Sequence, residues 1–499
     1  MSSANNKNDR ISSQSEDNNE RVSETTPLLS NNPKRNITAS NVDISEDLSP
    51  IPVENESNEK TEAIYILKKS VPVTLTYVLQ MSLQMASVFT LGHLGSIELA
   101  ASALASMFAT VTGWSIIFGA STALDTLGSQ AYTSGNPKMY ILVFLGQDHE
   151  ISSKTGLFLR YLLGGAPAFL MFEVIKKYLQ AQGIMHASTY VLIICSPINI
   201  LLNFMLVWYK PISIGFIGAP IATAITYWLM FLLIIIYTKY IDGYQCWGGW
   251  SRAALQDWVQ FLLLAMPGIL MVCSEWWAFE LVALAAGYLG SSSLATQSIV
   301  LTTVSFLYQI PFGISVASTN RVGNLLGARR ASKAKTAALI SLKFAVFIGL
   351  INTSVLMIFR NSWGYLFTND EEVVKLTSII LPMVSFFQVS DGIGAVGCGI
   401  LRGQGRQKIG AMLNVPGYYL IAFPLGIILA FHFKLGLIGL WCGLAAASLT
   451  VGIALLYIIL TTDWQWEVES CQKRMKGSNY SLNPNDSALS SSGNDDTLV

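Results

Sequence analysis

Apolar stretches long enough to cross a membrane follow one another along most of the chain, separated by short polar segments. A helix needs about 20 mainly apolar residues to span the roughly 30 Å of hydrocarbon in a bilayer. Eleven segments meet this requirement: 71–91, 99–124, 157–180, 187–208, 215–237, 258–286, 294–320, 337–359, 374–401, 410–431 and 436–460. Proline and glycine are frequent inside them, which is typical of helices packed in a bundle. We therefore predict an all-α integral membrane protein.

The two halves of this region repeat each other in sequence. GHLGSIELAASALA at 92–105 corresponds to GYLGSSSLATQSIV at 287–300, an offset of 195 residues, and GQDHEI at 146–151 corresponds to TNDEEV at 368–373, an offset of 222. Internal repeats with a substrate site at their interface are common in secondary transporters. We expect two pseudo-symmetric lobes built from six-helix repeats, at 63–240 and 258–461, joined by a cytosolic loop at 241–257.

The change of offset indicates that the first lobe lacks a helix. The offset grows by 27 residues, from 195 to 222, so the second half is longer than the first by that amount. The additional length falls where the second half has its helix 337–359. Basic residues mark cytosolic loops, and they place both Lys68 and Lys138 inside. The basic loops further along the chain, however, require the next helix, 157–180, to begin on the outer side. A crossing is then required near 139–146, which is too short to provide one. We expect a twelve-helix fold without its third helix, about eleven helices in all, and favour a gene-model error over a real eleven-helix protein.

Charge is concentrated outside the apolar region. Only 12% of the 499 residues are charged, against roughly 25% in soluble domains, and residues 1–60 hold 17 of the 62 charges. We expect disordered cytosolic tails at 1–62 and 462–499. The net charge of zero implies no nucleic-acid partner, and six cysteines without ligand spacing indicate no metal site. The basic loops Arg321–Lys335 and Arg402–Lys408 are predicted to face the cytosol.

The candidate acids inside or beside the apolar segments are Glu275, Glu280, Asp391 and Asp125. An acid in hydrocarbon is costly and by default faces a cavity or a partner. Burial raises the pKa of a carboxyl group toward the range where a proton gradient can protonate and deprotonate it. Glu275 and Glu280 are five residues apart, about 140° around a helix, so they are not expected to form a pair. Glu275, Asp391 and Glu280 are therefore the candidate proton-coupling residues, while Asp125, at a helix end, is expected to be structural.

Aromatic faces and amides are the groups expected in a cavity for flat organic cations. The candidates are Trp276, Trp277, Tyr308, Tyr418 and Tyr419 in the second lobe, and Gln80, Gln84, Asn199 and Asn203 in the first. The alternative for each aromatic residue is packing or an interfacial position, and for each amide a hydrogen bond between helices.

Several segments together resemble one transporter family. They are CSEWWAFELVALAAGYLG (273–290), GSQAYTSGNPK, RVGNLLGARRASKA, GQDHEI, YLQAQG and GCGILRGQGRQKIGAMLNVPGYY (397–419). Over about residues 65–460 the chain resembles the eukaryotic, fungal-type branch of the multidrug and toxic compound extrusion (MATE) family. The resemblance implies two six-helix lobes around a central cavity, and exchange of protons or sodium for organic cations. It also implies that Glu275 and Asp391 are coupling residues, while Thr302 replaces an acid that some members have.

We therefore interpret the chain as a proton-coupled antiporter that exports organic cations, drugs or metabolites from the cytosol, with sodium the less favoured ion and no cofactor. The alternatives are a lipid-linked sugar flippase of the same superfamily and an inactive or regulatory truncated transporter. An enzyme is not expected, because the four histidines (93, 149, 186 and 432) are too dispersed for a catalytic or metal site. Besides substrate, only membrane lipids are expected as constant partners, and the protein is expected to be a monomer.

The N-terminal tail contains a candidate sorting signal. Glu24, followed by Leu28 and Leu29, fits the acidic dileucine pattern that adaptor complexes bind on cytosolic tails. The pattern favours the vacuolar membrane, with the plasma membrane or another endomembrane as the alternative.

Overall fold

The structure is a computed structural model that describes residues 59–92, 105, 149–244, 258–368 and 370–480. Its helices are α1 (Glu59–Gly92), α2 (His149–Leu162), α3 (Ala166–Ala181), α4 (Ala187–Val207), α5 (Gly218–Tyr240), α6 (Trp258–Gly287), α7 (Ser291–Gly327), α8 (Ala331–Phe359), α9 (Glu371–Gln404), α10 (Gln407–His432), α11 (Leu437–Thr461) and α12 (Trp464–Tyr480). The predicted all-α fold is confirmed. The predicted helix 99–124 and the junction at 139–146 lie outside the described residues, so the missing helix stays a prediction.

Eight of the described helices, α4 to α11, are long and apolar enough to cross a membrane, and α2 and α3 together make a bent ninth candidate. Helix α1 has 34 residues but is less apolar than these, because its first turns are charged and it also carries Gln80 and Gln84. It packs on α4 and α5 of the first lobe and on α7 and α8 of the second. A helix between two lobes can carry polar groups because protein rather than lipid surrounds them.

The predicted helix 157–180 is not one straight helix. Its two parts, α2 and α3, meet at a 50° bend. Gly165 lies at the bend, and a Cβ there would come within 2.7 Å of the Cα of Ala224. Pro167 follows in the first turn of α3, where its missing N–H costs no hydrogen bond. The bend therefore follows from a close approach to α5 that only glycine permits.

Small residues hold the second lobe together between α7 and α9. Ser315 donates a hydrogen bond to the carbonyl of Ala395 at 2.6 Å, and Thr319 donates to the carbonyl of Gly399 at 2.8 Å. A Cβ at Gly399 would come within 2.7 Å of the carbonyl oxygen of Ser315. Close backbone approach with hydroxyl bonds between helices is how helices associate in lipid. This packing fixes α9, which carries Asp391, against α7.

The first turns of α1 belong to the first lobe in sequence but pack on the second. Glu62 is buried and accepts two hydrogen bonds from the guanidinium of Arg321 on α7. The ring of Tyr65 lies 4.1 Å from that guanidinium, and Ile66 is fully buried among residues of α7 and α8. Residues 59–62 of the predicted disordered tail are therefore part of a packed helix, in which Glu62 has its partner in the other lobe.

The C-terminal tail also departs from the prediction, since α12 is a packed helix rather than disordered chain. Asp463 caps it by accepting from the backbone N–H of Gln465 at 3.0 Å. Trp464 and Val468 are buried against α7 and α8, and the buried Glu467 accepts a 2.7 Å hydrogen bond from Arg406. Helix α12 thus packs on the face that carries the basic loops.

Replacing Glu467 with glutamine is expected to destabilise the protein, because it removes the charge partner of Arg406 from a buried position. The side chain of Glu467 is 1% exposed and that of Arg406 26%, so the loss should be about 1–3 kcal/mol. A lower melting temperature in detergent would show it. The matched control is Glu469→Gln, which removes an exposed carboxylate from the same helix. Equal melting temperatures for the two variants would contradict the packing role of this pair.

Candidate cation-binding cavity

A cavity of about 330 Å³ lies between the two lobes, lined by residues from α1, α3, α5, α6, α7 and α9. Its polar wall consists of Gln80, Gln84, Ser305, Gln309 and the acids Glu275, Glu280 and Asp391. Its aromatic wall consists of Tyr77, Phe169, Tyr227, Trp276, Phe279, Tyr308 and Phe312. A largely apolar pocket with a few polar groups is typical of small-molecule sites.

The three acids predicted from the sequence all line this cavity. Glu275 on α6 and Asp391 on α9 come from different helices and are close enough to interact electrostatically. Glu280 lines the cavity as well, although it points to another side of α6 than Glu275. The cavity therefore covers a wide face of α6, and the acidic pair is made by Glu275 and Asp391.

Four of the predicted cavity residues are also on its wall: Gln80, Gln84, Trp276 and Tyr308. Tyr308 stacks on Phe312 with ring centroids 5.6 Å apart, and Tyr77 meets the same ring edge-on at 4.8 Å. Three aromatic rings from α1 and α7 thus form one continuous surface across the lobe boundary. Such faces attract cations through the ring quadrupole.

Three predicted aromatic residues, Trp277, Tyr418 and Tyr419, lie elsewhere. Trp277 follows Trp276 by one position, so it points about 100° away around α6, off the cavity wall, and is 38% exposed. Tyr418 is 4% exposed and packs in the core of the second lobe, at the start of a π-helical turn (Gly417–Ala422) within α10. Its neighbour Tyr419 is half-buried and stacks on Phe423, also off the cavity wall.

The two predicted asparagines are structural. Asn199 is fully buried between α4 and α5 and donates a 3.0 Å hydrogen bond to Thr226. Asn203 is also fully buried and donates to the backbone carbonyl of Asn199 at 3.0 Å, while Ser87 of α1 donates to its Oδ1 at 3.3 Å. Their prediction as cavity residues is wrong because their amides are satisfied by neighbouring helices. The candidate sorting signal at Glu24, Leu28 and Leu29, and Asp125, lie outside the described residues.

The sequence model of the MatE family matches residues 72–140, 138–205 and 267–428, more than half of the chain. This chain belongs to the MATE family. It is therefore a multi-pass membrane transporter.

Relatives agree with this assignment over most of their length. An uncharacterized transporter of Schizosaccharomyces pombe is 40% identical over 456 residues, which cover 85% of this chain and 85% of the relative. Multidrug and toxin extrusion protein 1 of Homo sapiens is 33% identical over 426 residues, 80% of this chain and 74% of that protein. The crystal structure of the eukaryotic MATE transporter AtDTX14 superposes with a TM-score of 0.75 and 28% identity, covering 83% of this chain and 98% of that structure.

In this MATE protein the repeat relates the two sides of the cavity. The offset of 195 residues aligns Gln80 with Glu275, and the offset of 222 aligns Phe169 with Asp391. All four line the cavity, so equivalent positions of the two lobes contribute to the same cavity wall. The acids of this wall come from the second lobe, while the first lobe has an amide and a phenyl ring at the equivalent positions.

Eleven lining residues were not predicted: Tyr77, Met81, Leu83, Phe169, Tyr227, Phe279, Leu301, Val304, Ser305, Gln309 and Phe312. Tyr77 could have been found by helical spacing. It lies three residues before Gln80, on the face of α1 that also carries Gln84 four residues after Gln80. Phe169 could have been found through its repeat partner Asp391. Tyr227 carries no signal of this kind.

Contacts between the lobes close this MATE cavity on the side of the basic loops. Gly313 of α7 approaches α1 so closely that a Cβ there would come within 2.9 Å of the backbone nitrogen of Thr74. Beyond it lies the pair of Glu62 and Arg321, and Asn324 of α7 donates to the carbonyl of Ala181 at 3.3 Å. In the described part of the chain, the lobes are thus in contact on the face predicted to be cytosolic.

Proposed function

We propose that this MATE protein is a secondary antiporter that exports organic cations, including drugs or metabolites, from the cytosol in exchange for protons. The observation that carries the proposal is the cavity between the lobes, whose wall contains Glu275 and Asp391 together with a surface of aromatic rings. An aromatic surface attracts the flat, charged body of an organic cation, and a carboxylate neutralises its charge. Protons and cations then compete for the same acidic pair, and competition for one site is the basis of exchange.

Proton coupling is favoured over sodium because a carboxyl group binds a proton without further ligands. The lobes would rock about the cavity, releasing their cytosolic contacts to admit substrate. The acidic dileucine pattern at Glu24 supports delivery to the vacuolar membrane, where an acidic lumen would supply the protons.

The charge of the cavity argues against the flippase alternative. A groove for a lipid-linked sugar phosphate needs basic groups to bind the phosphates. The described lining residues include three acids and neither lysine nor arginine. A small organic cation fits this wall, and a phosphorylated lipid does not.

The test is uptake of radiolabelled tetraethylammonium into proteoliposomes with an acidic lumen, compared with a sodium gradient of equal size. We expect the proton gradient alone to drive uptake. Two proteins are compared. One is this chain, and the other is the longer chain that the full transcript would encode if it has additional codons between those for residues 138 and 146. Uptake by neither would contradict antiport, and uptake by the longer chain alone would assign the present sequence to an inactive truncation.

A further inference from the structure

A lysine is buried completely in the membrane part of the first lobe, behind the cavity wall. The side chain of Lys176 on α3 is 0% exposed, as is that of Glu173 one turn earlier, and their Nζ and Oε1 atoms are 2.6 Å apart. Two buried ions of opposite sign are neutral as a pair but costly to desolvate, so such pairs need further contacts. The surroundings of the ammonium group provide them.

The ammonium of Lys176 lies in a site with the groups that bind a free ammonium ion. It donates to the Oε1 of Gln80 at 3.3 Å, and it lies 4.5 Å from the ring centre of Tyr77 and 5.7 Å from that of Phe172. Gln80 also donates to Glu173 at 2.8 Å. A carboxylate, an amide oxygen and two aromatic faces are the elements of ammonium recognition. The second carboxylate oxygen, Oε2 of Glu173, is buried without a hydrogen-bond partner among the described residues.

This site shares a wall with the cavity. Tyr77 and Gln80 line the cavity with one part of their side chains and contact Lys176 with another. The repeat aligns Gln80 with Glu275, while Glu173 and Lys176 align with Ala395 and Cys398. The two lobes therefore differ in what lies beside their acids. The acids of the second lobe line the cavity, whereas Glu173 of the first lobe is paired with Lys176, a cation that belongs to the chain itself.

We propose that Lys176 is a tethered cation that fills an ammonium-binding site of the first lobe, formed by Glu173, Gln80, Tyr77 and Phe172. The ligand class of this site, once the tether is removed, is the primary alkylammonium ion. Because Lys176 fills this site, the acids of the second lobe are the ones left to exchange cations. That consequence for coupling rests on the antiport proposed above, whereas the site itself is tested by binding alone.

Lys176→Ala provides the test, since it removes the atoms of propylammonium from the site and leaves Glu173 without its cation. The variant is expected to melt below the wild type, and propylammonium is expected to raise its melting temperature by about 2–4 °C. Propanol has the same shape without charge, and tetramethylammonium has the charge without N–H donors, so neither should replace it. The wild type and Lys177→Ala, which changes the adjacent lysine, should not respond.

The double variant Glu173→Gln/Lys176→Ala separates binding at this site from a general effect of the amine. It lacks both charges, so its melting temperature should not depend on propylammonium. An equal shift in the double variant, or no shift in Lys176→Ala, would overturn the proposal.

If too little Lys176→Ala is produced for a melting measurement, the amount of each variant in membranes is compared instead, with and without propylamine in the growth medium. Propylamine crosses membranes in its neutral form and can reach the site during folding. Growth with propylamine should restore Lys176→Ala, while the double variant should accumulate with or without it. Failure of the amine to restore Lys176→Ala, with normal amounts of the double variant, would show that Lys176 is only a structural charge partner.

Discussion

Glu275→Gln is expected to reduce the rate of proton-driven tetraethylammonium uptake about tenfold or more. The amount of the protein and its melting temperature are expected to stay unchanged. Glutamine has nearly the shape of glutamate but neither its charge nor an exchangeable carboxyl proton. The side chain lines the cavity, and it interacts electrostatically with Asp391. Removing the carboxylate therefore removes half of the pair for which proton and cation compete. Initial rates in proteoliposomes are the measurement.

The same measurement shows whether the two acids act together. Asp391→Asn should cause a similar loss, and the double variant should be no slower than either single variant, since groups that act as a unit are not additive. Glu280→Gln is the matched control, because it removes a carboxylate from the same helix and cavity but not from the pair. Unchanged rates in Glu275→Gln, or equal losses in Glu280→Gln, would exclude a coupling role for the pair.

Reversing the charge of Glu62 or Arg321 should open the cavity toward the cytosolic face. The side chain of Glu62 is 6% exposed and that of Arg321 24%, and they join the two lobes. Loss of such a pair is worth about 2–3 kcal/mol, which changes the ratio of two conformations roughly 30- to 150-fold. Glu62→Arg and Arg321→Glu should each accelerate cytosolic labelling of Ser305→Cys, a cavity position.

Combining both reversals should slow the labelling again, because the pair is restored with opposite polarity. The pair of Glu59 and Lys343 joins α1 and α8 nearby, but its side chains are 70% and 66% exposed. Exposed pairs contribute little, so reversing Glu59 should leave labelling unchanged. If the double reversal labels as fast as the single ones, the pair does not hold the lobes together.

The sequence predicted the acidic side of the cavity because charge inside an apolar segment is a strong signal. Glu275 and Asp391 could be assigned to a cavity without knowing which helices meet there. The same reasoning was wrong for Asn199, because an amide in an apolar helix can equally bond to a neighbouring helix, here at Thr226. Tyr227 was missed because an aromatic residue in an apolar helix gives no indication of which way it faces, and Phe169 had only the indirect signal of its repeat partner Asp391.

The described parts of the terminal segments, 59–62 and 462–480, were mispredicted for another reason. Their composition is polar, which favours disorder, but a few positions decide whether such a helix packs. In α12 the buried residues Trp464, Glu467 and Val468 have the spacing of one helical face. In α1 the decisive residue is Glu62, whose partner lies in the other half of the chain. Pairing over that distance leaves no local pattern in the sequence.

The position of Glu62 also bears on how the protein is made. Arg321 follows it by 259 residues, so at about 5–20 residues per second the ribosome adds the partner roughly 13–50 seconds later. During this interval α1 is already inserted while its carboxylate has no counterion. At the end of the helix, facing the cytosol, water can solvate the charge. The same pair deeper in the bilayer would leave a bare ion in hydrocarbon throughout synthesis of the first lobe.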